Sequence, residues 1–212
     1  NLFANSLVAL DAATGERIWH FQMVHHDLWE YDVVGPPTLG RIEVGGRTVE
    51  AVMQPAKTGF LYTFDRVTGE PVWPIEERAV PPSTVPGEHA SPTQPFPTKP
   101  PAFGRQGVSR EDLVDWTPEL RRRAEAWADT LLLGELFTPP VLPSDEPGGK
   151  RALLQVPGIW GSGNWHTGAF DPETGGFTLS DKIKGGVRAG TRYTLYDSGD
   201  TAPDIAGVTI NV

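Results

Sequence analysis

Short apolar or alternating runs, each closed by a glycine-containing turn, make up most of the chain. "SLVAL" (6–10), "RIWHFQ" (17–22), "TVEAVMQ" (48–54), "GFLYTFD" (59–65) and "ALLQVPG" (152–158) have the length and period of β-strands. One segment changes period. In "SREDLVDWTPELRRRAEAWADTLLLG", Leu120, Ala124, Trp127 and Leu131 recur at three- and four-residue steps, Thr117 and Pro118 form an N-cap and first-turn pair, and Gly134 supplies a stop. This predicts one helix over 118–133. Ser109 opens an S-x-x-D pattern suited to capping a short turn just before it, and the Arg121, Arg122, Arg123 trio reads as a solvated face. Between Val80 and Phe103 a proline falls every few residues, a density that excludes a helix or a central strand and predicts an extended or looping excursion.

The strand-like segments repeat. "LVALDAATGERIWHF" (7–21) and "LYTFDRVTGEPVWPI" (61–75) match in register as apolar-x-x-D-x-x-T-G-x-x-x-W. A third copy, "GAFDPETGGFTLS" (168–180), keeps Asp171, Thr174 and Gly175 but has no Trp at its end. The aspartates at 11, 65 and 171 are 54 and 106 residues apart, close to one and two units of a ~50-residue period, which suits a propeller-blade array. The motif has a local physics. Asp accepts backbone N–H groups across a tight turn, Gly supplies the positive-φ position, and Trp packs between neighbouring sheets. Trp19 and Trp73 are therefore expected to be buried between blades.

Composition narrows the function classes. A net charge of −9 argues against a nucleic-acid backbone or an anionic membrane surface as partner. No apolar run approaches the ~20 residues of a membrane-spanning helix. The chain opens on "NLFANSLVALD", without an initiating Met or a signal-peptide pattern, and is expected to be a processed product or a fragment. It has no cysteine, hence no disulfide framework and no thiolate metal site. The densest chemistry lies in "HHDLWEYD" (25–32). His25 and His26 are adjacent and would point to opposite faces of a strand, so the pattern favours structural corner residues over a zinc site at His25, His26 and Asp27.

The D-x-x-T-G-x-x-x-W repeat resembles the tryptophan-docking motif of quinoproteins, the eight-bladed propeller dehydrogenases that bind pyrroloquinoline quinone (PQQ). "WHFQMVHHDLWEYD", "PPTL", "MQPAKTGFLYTFDRVTGEPVWPIEERAVP", "SPTQPFPTKPPAF", "ELFTPP" and "GSGNWHTGAFDPETG" are similar, in that order, to the glucose-type branch of the family. The resemblance runs from Asn1 to Gly175 and leaves residues 176–212 as a divergent tail. It implies an all-β fold, a partial eight-bladed propeller of three to four blades with one inserted helix, in which residues 76–150 form a Pro-rich excursion plus helix between blades.

The resemblance also implies a site. Glu30 falls where the family normally has an Asp as catalytic base, one methylene shorter. Lys57, by default an exposed hairpin lysine, falls at the cationic position beside the quinone carbonyls, where a fixed charge stabilises the negative oxygen that hydride arrival creates. Asn164 falls near those carbonyls as a donor, with Trp165 beside it, and Gly161, Gly163 and Gly168 allow close backbone approach to a planar ligand. Read alone, that stretch is a glycine-rich turn with a core Trp. Glu30, Lys57 and Asn164 are expected to converge on one channel. The implied cofactors are PQQ and a calcium ion whose ligands lie mostly upstream of residue 1, and the implied activity is oxidation of a sugar or polyol in the periplasm with a membrane quinone as acceptor. Membrane association would run through a segment absent here. The alternatives are a PQQ-dependent alcohol dehydrogenase and a non-catalytic propeller scaffold that uses the same repeats only to build blades.

Overall fold

The turn chemistry is what organises the chain. In the computed structural model, which describes residues 2–165 and 167–179 and the backbone of a few short strands beyond them, all three D-x-x-T-G copies close in the same way. Asp11 Oδ1 accepts from the N–H groups of Ala13 (2.9 Å) and Thr14 (2.8 Å), while Glu16 N–H donates to Thr14 Oγ1 (3.2 Å). Asp65 Oδ1 accepts from Val67 and Thr68 at 2.8 and 3.0 Å, and Glu70 N–H donates to Thr68 Oγ1 at 3.2 Å. Asp171 accepts from Glu173 N–H (3.0 Å) and Thr174 Oγ1 (2.6 Å). Gly15, Gly69 and Gly175 follow at φ 74°, 77° and 66°, the left-handed region that glycine enters without a Cβ penalty.

These turns join antiparallel strands. β1 (Ser6–Leu10) pairs with β2 (Arg17–Gln22) around the first turn. β3 (Thr38–Val44), β4 (Arg47–Pro55) and β5 (Leu61–Asp65) form a three-stranded sheet in that order. β6 (Ile75–Ala79) pairs with β7 (Thr93–Pro97) inside the Pro-rich excursion. Pro95 and Pro97 are tolerated there because, among the described residues, β7 pairs on one side only, with β6. β8 (Leu131–Leu132) and β9 (Ala152–Leu153) make a short parallel pair. β10 (Gly168–Asp171) and β11 (Gly176–Leu179) form the third repeat's hairpin. That hairpin packs on the three-stranded sheet, where the Phe170 ring covers Gly40 so closely that a Cβ at residue 40 would lie 2.5 Å from it. Thr191–Thr194 pairs antiparallel with β11, and Thr209–Asn211 pairs parallel with Thr191–Thr194; most of the tail over 176–212 lies outside the described residues.

Three expectations need correction. The helix, α1, runs Pro118–Ala128 and not to 133: Asp129 ends it, and Leu131–Leu132 turn away to pair with Ala152–Leu153, burying Leu131 as a strand residue. Its N-terminus is as expected, with Thr117 Oγ1 accepting from Leu120 N–H at 3.2 Å, and Ser109 caps the preceding 3-10 turn reciprocally with Asp112. Trp127 is 57% exposed, so the helix's apolar face is narrower than its period suggests. Trp19 and Trp73 are half-buried rather than buried. Trp19 nevertheless docks as the repeat requires. Its ring lies flat against Gly69 of the next repeat, where a Cβ would come within 2.6 Å, and its Nε1–H donates to Arg66 O at 3.1 Å. Trp73 packs against the cluster of Ile42, Ala51, Met53, Leu61, Phe103, Phe177 and Leu179.

The turn aspartates make a testable contribution to stability. Backbone donation from Thr68 and Val67 holds the Asp65 carboxyl below its ordinary value, and Thr14 and Ala13 do the same to Asp11. A depressed folded-state value stabilises the fold at any pH above the unfolded-state value, and that stabilisation is lost as pH falls through the folded one. Melting temperature is therefore expected to drop below about pH 4. Asp65→Asn, which keeps an accepting oxygen, should flatten part of that drop while changing stability little at pH 7; equal pH slopes for the variant and the parent would contradict this.

Candidate functional site

"HHDLWEYD" is a corner pinned from both sides. Asp27 Oδ1 accepts from Trp29 N–H (2.8 Å), and its Oδ2 accepts from Asn5 Nδ2 (3.0 Å). The His25 backbone is bracketed by the Gln94 amide, at 2.8 Å to its N–H and 2.7 Å to its carbonyl, and its ring reaches Gln22 Oε1 (2.8 Å) and Glu77 Oε1 (3.0 Å). His26 is exposed at φ 44°. His25 and Asp27 thus serve as structural corner residues, and among the described residues no three His, Asp or Glu side chains converge as a metal set would.

Beyond the corner buried and more exposed side chains alternate. Trp29 and Tyr31 are each 1% exposed and enter a core with Met23, Val52, Phe60, Tyr62, Phe64 and Phe137. Trp29 Nε1–H donates to Thr138 O (2.7 Å) and Tyr31 Oη–H to Pro157 O (2.8 Å). Burial pushes the Tyr31 phenol up, which keeps it a neutral donor. Glu30 and Asp32 face the other way. Glu30 sits at φ 63°, a left-handed conformation uncommon for a non-glycine residue.

Lys57 meets them there. It lies in the tight turn after β4, where Ala56 N–H donates to Phe60 O (2.9 Å) and Gly59 N–H to Ala56 O (3.0 Å). The residue is 7% exposed, so it is a buried cation and not the solvated hairpin lysine of the default reading. Its Nζ donates to the Glu30 carbonyl and to Asp32 Oδ2, each at 2.7 Å. The glycine-rich loop presses on the same turn. Ser162 N–H donates to Lys57 O (2.9 Å), and a Cβ at Gly161, itself at φ 65°, would lie 2.4 Å from the Lys57 side chain. Asn164, 9% exposed, follows on that loop; its Nδ2 donates to Trp160 O (2.6 Å) and its Oδ1 accepts from Trp165 N–H (2.8 Å). Trp165 is 74% exposed beside it.

The structure therefore brings together the Glu30 backbone, Asp32, Lys57 and the loop leading to Asn164. The Glu30 carboxylate is exposed and makes no bond to Lys57; the residue contributes its carbonyl. The carboxylate that reaches the cation belongs to Asp32, which sequence reasoning missed. Its signal was present: Trp29-Glu30-Tyr31-Asp32 alternates aromatic and acidic residues, so both acids must leave the core on one side. A cavity of about 620 Å³ lies elsewhere, between α1 and residues 105–110. Its cations are spent on neighbours, Arg105 on Asp112, Arg110 on Asp129 and Lys150 on Asp129 O, and it holds no reacting set.

Donor counting tests whether these residues suit a quinone. An ammonium has three hydrogens and a primary amide two. Two hydrogens of Lys57 and one of Asn164 are committed among the described residues. Each side chain retains one donor, as an acceptor-rich planar ligand requires, so the set fits.

Comparison with known proteins identifies the family. A family profile described as "PQQ: Glucose/ethanol/alcohol dehydrogenase, beta-propeller domain" matches residues 1–192. The chain is 35% identical over 179 residues to a glycerol dehydrogenase large subunit of Gluconobacter thailandicus, covering 82% of this chain and 23% of that protein. It is 34% identical over 176 residues to a quinoprotein glucose dehydrogenase of Escherichia coli (strain K12), covering 80% and 20%. A quinohemoprotein alcohol dehydrogenase from Comamonas testosteroni superposes with a TM-score of 0.46 at 23% identity over 84% of this chain and 20% of that one. The chain spans about a fifth of the length of the curated relatives it matches. On the span of the profile match and the identity to these relatives, the chain belongs to the β-propeller family of PQQ-dependent glucose, ethanol and alcohol dehydrogenases.

Proposed function

We propose that the chain forms part of a PQQ-dependent dehydrogenase that oxidises a sugar or polyol hydroxyl and passes the electrons to a membrane quinone. The observation that carries this reading is the buried Lys57 ammonium, held at 2.7 Å from two oxygens beside the Glu30 corner and covered by the Gly161–Asn164 loop. A pure scaffold gains nothing from burying a cation, because desolvation costs more than a hydrophobic side chain of similar size would. The names of the two relatives, a glycerol and a glucose dehydrogenase at 34–35% identity, support a polyol or sugar over a simple alcohol.

When bound, PQQ supplies the two-electron acceptor for the hydrogen leaving the carbinol carbon. Lys57 would stabilise negative charge on a ligand oxygen through its third hydrogen, and Asn164 would donate its remaining N–H to orient the ligand. The Glu30 carboxylate, exposed beside Lys57, would take the hydroxyl proton. Trp165 would offer an exposed aromatic edge to the ligand. Calcium, with ligands mostly upstream of this chain, and a periplasmic location complete the proposal.

The test is substrate-dependent dye reduction by the full-length protein with PQQ and calcium, using glucose, glycerol and ethanol. Reduction with glucose or glycerol is expected, and Glu30→Gln should lower it by about 100- to 10,000-fold, the usual cost of losing a general base. Failure to bind PQQ would overturn the cofactor assignment, and an unchanged rate in Glu30→Gln would remove that side chain from the chemistry.

A further inference from the structure

The geometry points to Asp32 as a positioning residue: its carboxylate, paired with the left-handed carbonyl of Glu30, forms a two-oxygen clamp that fixes the direction of the Lys57 ammonium. A lysine head group is a point charge on a flexible four-carbon stem, with nothing in its own covalent geometry to aim it. Here two acceptors hold it, Asp32 Oδ2 and Glu30 O, each at 2.7 Å. With both distances fixed, the remaining N–H direction is fixed too.

The two halves of the clamp differ in kind. The Glu30 half is backbone. It is a carbonyl oxygen, at a residue with φ 63°, and the side chain there takes no part in it. An acid one methylene longer or shorter at position 30 presents the same carbonyl. The Asp32 half is a charged side chain; an amide there would keep an accepting oxygen but lose the charge that strengthens the bond to the ammonium. Burial is lopsided as well: the Lys57 side chain is 8% exposed and that of Asp32 45%. The cation therefore depends on the pair, while the carboxylate has water as an alternative. Near Asp32 no second cation bonds it among the described residues, so its contact is with Lys57. The alternation that buries Trp29 and Tyr31 carries Asp32 to the same side as Glu30, which ties the clamp to the aromatic core.

The inference rests on the role given to Lys57 in the proposed reaction, and its test separates the two. In the full-length protein without added cofactor, Lys57 acylation by acetic anhydride is measured by mass spectrometry relative to the exposed Lys99. Asp32→Asn should raise that ratio about 5- to 10-fold by replacing a charge-assisted bond to the ammonium with a weaker neutral one, Asp32→Glu should return it to within about twofold, and Glu30→Gln should leave it unchanged because the carbonyl remains. With PQQ bound, Asp32→Asn should lower kcat by about 10- to 100-fold with little change in KM, and should add nothing in a Lys57→Met background. A half-exposed isosteric change keeps the fold, which a melting curve verifies. An unchanged acylation ratio in Asp32→Asn, or multiplicative effects of Asp32→Asn and Lys57→Met on kcat, would overturn the clamp. If the parent protein binds no PQQ, the cofactor assignment fails while the acylation ratios still decide whether Asp32 holds Lys57.

Discussion

Lys57→Met in the full-length protein is expected to lower PQQ-dependent turnover by about 100- to 1,000-fold, the scale on which loss of one preorganised electrostatic group falls. Several features make this change interpretable. Met nearly matches the lysine stem in length and fills the same space under Gly161, whose backbone leaves no room for branching. The partner left behind, Asp32, is 45% exposed and can be solvated, so no orphaned buried charge is created. The Glu30 carbonyl loses its donor at an exposed residue, where water can replace it. A large rate loss with an intact melting transition would therefore report on chemistry. Initial rates at saturating cofactor are required, so that weaker PQQ binding is not read as slower turnover. A rate within about threefold of the parent would remove Lys57 from the reaction.

The largest effect on stability is expected at the neighbouring aromatic. Trp29→Ala should destabilise the fold by about 3–5 kcal/mol, the range for truncating a large buried aromatic. Trp29 is 1% exposed, stacks near Tyr31 with ring centroids 6.2 Å apart, and meets Phe137 edge-on at 5.1 Å. Its truncation also leaves the Thr138 carbonyl without its indole donor. Denaturant unfolding of the full-length protein measures the change. A loss below about 1 kcal/mol would mean that the cavity collapses freely and that the corner is held by its hydrogen bonds instead.

How much of this was legible beforehand depended on the range of the interactions. The three hairpin turns were readable because the Asp11, Asp65 and Asp171 carboxylates each accept from groups two and three residues on. β1 and β2 were readable to the residue for the same reason. The end of α1 was not, because Leu131 and Leu132 continue the helical period and are withdrawn by a pairing with residues 152–153 that no local pattern announces. Lys57 could be picked out only by family resemblance, since a lysine in "PAKTG" is ordinarily solvated. Its burial comes from the loop at 161–163, more than a hundred residues away. Asp32 was overlooked although the alternation placed it beside Glu30; that Lys57 meets the carboxylate of one and the carbonyl of the other is a tertiary contact that composition and spacing do not encode.

The seat of Trp19 on Gly69 has a consequence for how such an array can grow. The second repeat carries both halves of a joint: a bare glycine platform at Gly69 that seats Trp19, and an indole of its own at Trp73. A duplicated segment therefore arrives already able to accept the unit before it and to present a surface to the unit after it, and no new interface has to evolve for the ring to lengthen. The same economy sets a direction. A unit that lost its indole could still end an array, whereas one whose platform gained a methyl group would block its predecessor, so glycine at position 69 is held by its neighbour's needs as much as by its own turn.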